Sequence, residues 1–231
     1  MYATQMGNAY GPVLLLGLLL CLHCNCLSEE GQLLLQFKAS WNTSGELSDW
    51  RTDSNSDGHC NWTGVTCDRN TKSVVGLDLQ NLNITGTIPH SIGQLSNLRD
   101  LNLYLNYFGG DFPSGLLNCT RLRSLNLSQN VFSGLLPNEI YKLEELVKLD
   151  LSSNDFSGDI PAGFRRLPLL EVLHLAYNQL NGTVPFFLGN LSSLKNLTLA
   201  NNPLAQGVIL HELGNLTRLQ QLWIADYNLV E

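Results

Sequence analysis

Positive charge is scarce in this chain. Thirteen Lys and Arg stand against 20 Asp and Glu, for a formal net charge of -7 and a pI near 5.1. No basic run is present to neutralise phosphates, which excludes nucleic acid as a partner. Long apolar runs are scarce as well: beyond the first stretch no segment offers 18 consecutive apolar residues, so no later segment reads as a membrane anchor. Phosphate-cradling loops, nucleophile elbows and kinase signatures are missing, and no His, Cys or carboxylate group has metal-ligand spacing. These absences point away from an enzyme and from any metal or cofactor.

What is present begins with an apolar run from Val13 to Leu22, broken only by Gly17. It is too short to span a bilayer of about 30 Å but fits the core of a secretory signal peptide, assigned to residues 1–26. Cleavage is expected near Cys26 or Leu27, although no Lys or Arg precedes the run. Export would remove Cys21, Cys24 and Cys26. In an oxidising compartment Cys60 and Cys67, separated by NWTGVT, can close a small loop. Cys119 lies in a different pattern and reads as a buried small apolar side chain.

The stretch LDLSSNDFSGDIP, residues 149–161, recurs along the chain. Units start at Val74, Leu98, Leu122, Leu146, Leu170, Leu194 and Leu219, with five steps of 24 residues and a last of 25. A Leu-x-x-Leu-x-Leu start at this period marks leucine-rich repeats. The predicted fold is an α/β solenoid: a right-handed coil with parallel strands on its concave face, behind an N-terminal helical, disulfide-closed cap. One unit cannot bury its own Leu residues, so stability is expected from neighbours, at about 1.5–3 kcal/mol per buried apolar side chain before entropy.

Three further slots recur in each unit. Asn106, Asn130, Asn154, Asn178 and Asn202 follow the strand, where an amide can satisfy both N–H and C=O groups as the chain turns; Leu82 and Tyr227 take this slot in the first and last units. Gly86, Gly110, Gly134, Gly158 and Gly182 read as turns that a Cβ would hinder. Apolar-Pro pairs such as Ile160-Pro161 hold the chain extended before a short helical turn. In the sixth unit Ile209-Leu210 replaces that pair beside a one-residue insertion.

Ahead of the coil, Ser28 is positioned to cap a helix carrying Leu33, Leu34, Phe37 and Trp41, with Glu29 and Glu30 in its first turn. Trp50, the Cys60/Cys67 loop and Trp62 complete a cap at residues 27–72, followed by about six and a half repeats at 73–231, incomplete at the C-terminus.

LLLQFKASW, Trp50, CNWTGVTC and repeats reading L-x-x-L-x-L-x-x-N-x-F/L-x-G-x-I/L-P resemble the start of the ectodomain of plant leucine-rich-repeat receptor-like kinases. LGNLTRLQQLWIADYNLV is similar to the matching repeat of the HAESA-like subgroup. The resemblance implies an extracellular module that recognises a secreted peptide or protein ligand and a co-receptor of the same repeat type. It would be secreted or held at the outer plasma-membrane face, make no direct membrane contact itself, and leave catalysis to a Ser/Thr kinase domain that this chain does not contain. A secreted inhibitor resembling those of wall-degrading polygalacturonases is the alternative, and a truncated product without independent function is the third reading.

Outward strand positions line the face that solenoids use for binding. Its candidates are Asn102, Tyr104, Gln129, Lys148, His174, Tyr177, Asn201, Trp223 and Asp226, with Tyr104, Tyr177 and Trp223 favoured as anchors. His174 is expected to be an ordinary solvated side chain. Glycan acceptor sequons stand at Asn42, Asn61, Asn83, Asn118, Asn126, Asn181, Asn190, Asn196 and Asn215.

Overall fold

The structure, a computed structural model, describes residues 27–52, 57–204 and 211–224. The expected signal peptide, the Ile209-Leu210 pair, Asp226 and Tyr227 lie outside the described residues.

Period-2 tripeptides and helical-period apolar residues separate cleanly. Helix α1 (Glu29–Ser40) starts where Ser28 Oγ accepts from Gly31 N at 3.1 Å, and it buries Leu33, Leu34 and Phe37. Thirteen strands follow among the described residues: β1 (Val65–Cys67), β2 (Val74–Asp78), β3 (Thr85–Gly86), β4 (Asp100–Asn102), β5 (Tyr107–Asp111), β6 (Ser124–Asn126), β7 (Val131–Leu135), β8 (Lys148–Asp150), β9 (Asp155–Gly158), β10 (Val172–His174), β11 (Gln179–Leu180), β12 (Asn196–Thr198) and β13 (Gln221–Trp223).

The eight-stranded sheet runs β1-β2-β4-β6-β8-β10-β12-β13. From β2 onward it is parallel, and Leu77, Leu101, Leu125, Leu149, Leu173, Leu197 and Leu222 stand side by side. One residue of slip would turn every Leu to solvent, so the 24-residue step fixes the register. Strand β1 joins antiparallel to β2 and closes that edge from within the cap.

A second sheet, β11-β9-β7-β5-β3, is parallel and was not expected from the sequence. The Gly slot read as a corner lies inside its strands at Gly86, Gly110, Gly134 and Gly158, whereas Gly182 falls at a bend two residues past β11. Gly86, Gly110, Gly134 and Gly158 have φ of 140°, 84°, 75° and 76°, values that bend a strand without leaving it and that a Cβ resists. The Pro residues that follow open one-turn 3-10 helices at His90–Gln94, Ser114–Asn118, Asn138–Lys142, Ala162–Arg166 and Phe186–Asn190.

The ladder Asn residues join the two sheets. Asn154 Nδ2 donates to Leu127 O of the preceding rung at 3.0 Å and to Leu151 O of its own at 3.1 Å. Its Oδ1 accepts from Phe132 N in β7 at 3.0 Å. Asn106, Asn130, Asn178 and Asn202 repeat this arrangement, and all five are buried. Behind them Phe108, Phe132 and Phe156 are sealed in the core, the last two stacked at 6.2 Å.

The cap docks through specific bonds. Glu30 Oε2 accepts from Val74 N at 2.7 Å, satisfying the N–H that opens β2. Trp41 Nε1 donates to Thr87 O at 2.9 Å, and its ring meets Phe108 edge-on at 5.3 Å. Trp50 stacks on Trp62 at 5.6 Å, beside the Cys60–Cys67 disulfide. His59 lies beside both sulfurs, but these are joined to each other and offer no thiolate to a metal.

Candidate recognition surface

Outward strand positions stack in columns because residues 24 apart occupy the same place on adjacent rungs. The column that begins each strand's exit runs Asp78, Asn102, Asn126, Asp150, His174, Thr198 and Trp223. At its start Asn102 Nδ2 donates to Asp78 Oδ1 at 3.0 Å and to Gln80 Oε1 at 3.1 Å. At its middle Asn126 and Asp150 act alike: Oδ1 of each accepts from the backbone N–H and the hydroxyl of Ser128 and Ser152, with the hydroxyls at 2.6 Å.

The expectation of a solvated His174 is corrected here. Its ring is half-buried and Nδ1 lies 3.3 Å from Asp150 Oδ2, one rung back. Burial pushes the Asp150 carboxyl up, but hydrogen bonds from His174 and from the hydroxyl and N–H of Ser152 outweigh it and hold the group below the ordinary Asp range. The signal was present as a spacing of 24, which puts two side chains in one column.

A second column comprises the residues just before each ladder Asn. Leu105, Gln129, Ser153, Tyr177 and Asn201 all lie in the left-handed region, with φ from 52° to 58°. That conformation costs a residue with a Cβ on the order of 1–2 kcal/mol. It turns the chain off the sheet so that the following Asn points inward. Neighbouring rungs hold it there: Tyr177 N donates to Ala200 O at 2.9 Å, and Tyr177 O accepts from Asn154 N at 3.1 Å. The Tyr177 ring is therefore 51% exposed on a fixed backbone.

Tyr177 meets Trp223 edge-to-face at 6.0 Å, although a whole rung lies between them. The reach is open because the rung between carries Thr198 and Ala200, both small and buried. His174, Tyr177 and Trp223 thus gather at one end of the face. Tyr104 is half-buried three rungs away in another column, and the structure does not bring it to this group. Asn102 and Asn201 are half-buried, while Gln129 and Lys148 are exposed. Among the described residues, a hollow of about 170 Å³ beside Asp78, Asp100 and Asn102 lies below the roughly 300–1,000 Å³ of small-molecule sites.

Seven sequon Asn residues are exposed: Asn42, Asn61, Asn83, Asn118, Asn181, Asn190 and Asn215. Asn126 and Asn196 are half-buried in β6 and β12. Cys119 is a buried free thiol whose Sγ donates to Ile92 O at 3.5 Å, and burial pushes it up to about 12.

Comparison with known proteins adds the family. The leucine rich repeat N-terminal domain model matches residues 27–68, a leucine rich repeat matches 73–95, and a leucine-rich repeat region matches 114–229. The Arabidopsis receptor kinase HAESA, solved with the peptide hormone IDA and the co-receptor SERK1, superposes with a TM-score of 0.81 at 38% identity, covering 86% of this chain and 34% of that one. A solved Pollen Receptor Kinase 3 gives a TM-score of 0.75 at 32% identity, covering 86% and 95%. The receptor-like kinase ERECTA of Arabidopsis thaliana is 40% identical over 97 residues, which is 41% of this chain and 10% of that protein. The chain thus spans about a tenth of that receptor's length.

Proposed function

We propose that this chain, which belongs to the plant leucine-rich-repeat receptor-kinase family, is an extracellular recognition module that binds a secreted peptide on its eight-stranded face. The carrying observation is the Tyr177–Trp223 pair at the end of a polar column that includes the Asp150–His174 contact. Large aromatic rings on a fixed backbone supply contact area with little ordering cost, which is what interface anchors need. Asn102, Gln129, Lys148 and Asn201 offer polar contacts along the same face, with Tyr104 a separate contact three rungs off. Asp226 is assigned to the same surface by its place in the repeat.

The reading fits a peptide better than a metabolite, because the face is broad and its hollow is small. HAESA was solved with a peptide hormone and a co-receptor, and by analogy a second repeat protein is the further partner of this chain. In this assignment residues 1–26 direct export, 27–72 cap the coil and 73–231 supply the repeats. Catalysis lies elsewhere, in a kinase of the kind its relatives are named for. The exposed sequons are the glycan positions.

The test is binding of short synthetic secreted-type peptides to the purified chain and its variants. Removing one hot-spot ring costs about 2 kcal/mol or more, roughly a 30-fold loss. Tyr177→Ala and Trp223→Ala should each show that loss towards a selected peptide, and Arg166→Ala on a helical turn should not. Equal affinity for all four proteins would overturn the reading.

A further inference from the structure

Recognition on the eight-stranded sheet leaves the outer face of the five-stranded sheet unused, and that face is built to a different chemistry. We propose that this lateral sheet is a docking surface for a protein partner presenting an apolar tip flanked by Lys or Arg.

Three observations carry it. Tyr107, Val131 and Leu135 are 56%, 50% and 69% exposed on neighbouring strands β5 and β7. Glycines make this surface flat. A Cβ on Gly109 would meet Val131 Cγ2 at 3.2 Å, and one on Gly158 would meet Leu135 Cδ2 at 2.5 Å, so each apolar side chain lies across the adjacent strand's glycine. An apolar group held in this way loses little freedom when it is covered.

The charge on its own strands has one sign, the nearest cations standing on the 3-10 turns that follow. Residues 85–89, 107–113, 131–137, 155–161 and 179–185, which carry the five strands, contain exposed Asp111, Asp155 and Asp159 and no Lys, Arg or His. A second copy of this chain would bring the same aspartates against them, on a protein of net charge -7, so self-association is opposed. A basic rim on a different protein is favoured.

Finally, the sequons frame the surface. Asn83 precedes edge strand β3, Asn181 follows the opposite edge strand β11, and none falls in the three strand segments between them. Glycans there would shield both edges and leave the centre bare. Five strands of two to five residues, 18 residues together, give a face on the order of 300 Å² at about 3.3 Å per residue and about 4.8 Å between strands, the scale of a weak and transient contact.

The experiment titrates the chain with the peptide Lys-Arg-Leu-Phe-Arg-Lys and the charge-reversed Glu-Asp-Leu-Phe-Asp-Glu, following methyl NMR signals of Val131 and Leu135. The basic peptide should shift both signals saturably, and the acidic one should not. Raising ionic strength from about 0.01 M to about 1 M shortens the screening length from roughly 30 Å to roughly 3 Å and should weaken binding about tenfold or more. Leu135→Asp should abolish the effect. The isosteric triple variant Asp111→Asn, Asp155→Asn, Asp159→Asn should weaken binding with the folded spectrum unchanged. Equal binding of both peptides, no shift at saturation, shifts only at Leu222 on the other sheet, or a dimer that Leu135→Asp dissociates would each overturn the proposal.

Discussion

Replacing Asn154 by Ala tests how the two sheets are joined. The amide serves three buried backbone groups, and these do not lose equally. Leu127 O receives both Asn130 Nδ2 and Asn154 Nδ2, and Leu151 O receives both Asn154 Nδ2 and Asn178 Nδ2, so each carbonyl keeps one donor after the change. Phe132 N–H loses its acceptor inside the core. An orphaned buried N–H costs about 1–3 kcal/mol and each weakened carbonyl about 0.5–1 kcal/mol, for a total of about 2–5 kcal/mol. At the start of the ladder Asn106 Oδ1 serves two N–H groups, of Leu82 and Ile84, and its Nδ2 serves Leu79 O. Asn106→Ala should therefore cost more than Asn154→Ala. Urea unfolding of both variants measures the totals, and hydrogen exchange locates them. Repeat arrays need not unfold in one step, so the local reading decides. Faster exchange at Phe132 in Asn154→Ala, with little change at Leu125, is the expected result. A loss below about 0.5 kcal/mol with Phe132 unchanged would refute the reasoning.

Other consequences follow from the same geometry. Asp150 is held below the ordinary Asp range when folded, so its contribution is present above the unfolded value near pH 4 and is lost as pH falls through the lower folded value. Wild type should thus lose more stability than Asp150→Asn between about pH 5 and pH 2 in thermal melts, and parallel losses would contradict the stabilised Asp150 carboxylate. Reducing the Cys60–Cys67 bridge, a separation of 7 residues, should cost about 2.5 kcal/mol and loosen the cap before the repeats, visible as earlier exchange in α1 than in β8. Gly134→Val places a branched side chain at φ 75° against Asp111 and should cost upwards of 1 kcal/mol in urea unfolding, whereas Ser133→Val beside it should be nearly neutral.

The solenoid was legible because its signals are periodic. A Leu column, an Asn column and a Pro column at one spacing admit few folds, and each slot has its own chemical reason. The second sheet was hidden by the same residues that build it. Gly and Pro argue against strands locally, and only neighbouring rungs supply the pairing that overrides this at Gly110 and Gly134. The left-handed positions were equally opaque, since nothing in Leu105 or Tyr177 as residue types announces positive φ. At the candidate site the aromatic anchors could be named, but their grouping could not. Tyr177 and Trp223 meet because Thr198 and Ala200 are small, a relation across three rungs. His174 was misjudged because its carboxylate neighbour lies 24 residues away in sequence and one rung away in space.

The claim that recognition runs over the eight-stranded sheet is tested most directly by photocrosslinking. Benzoylphenylalanine would replace Tyr177 in one protein and Arg166, on an outer helical turn, in another, and each would be irradiated with the peptide selected for binding. An adduct from position 177 and none from position 166 is the predicted result. An adduct confined to position 166 would contradict it.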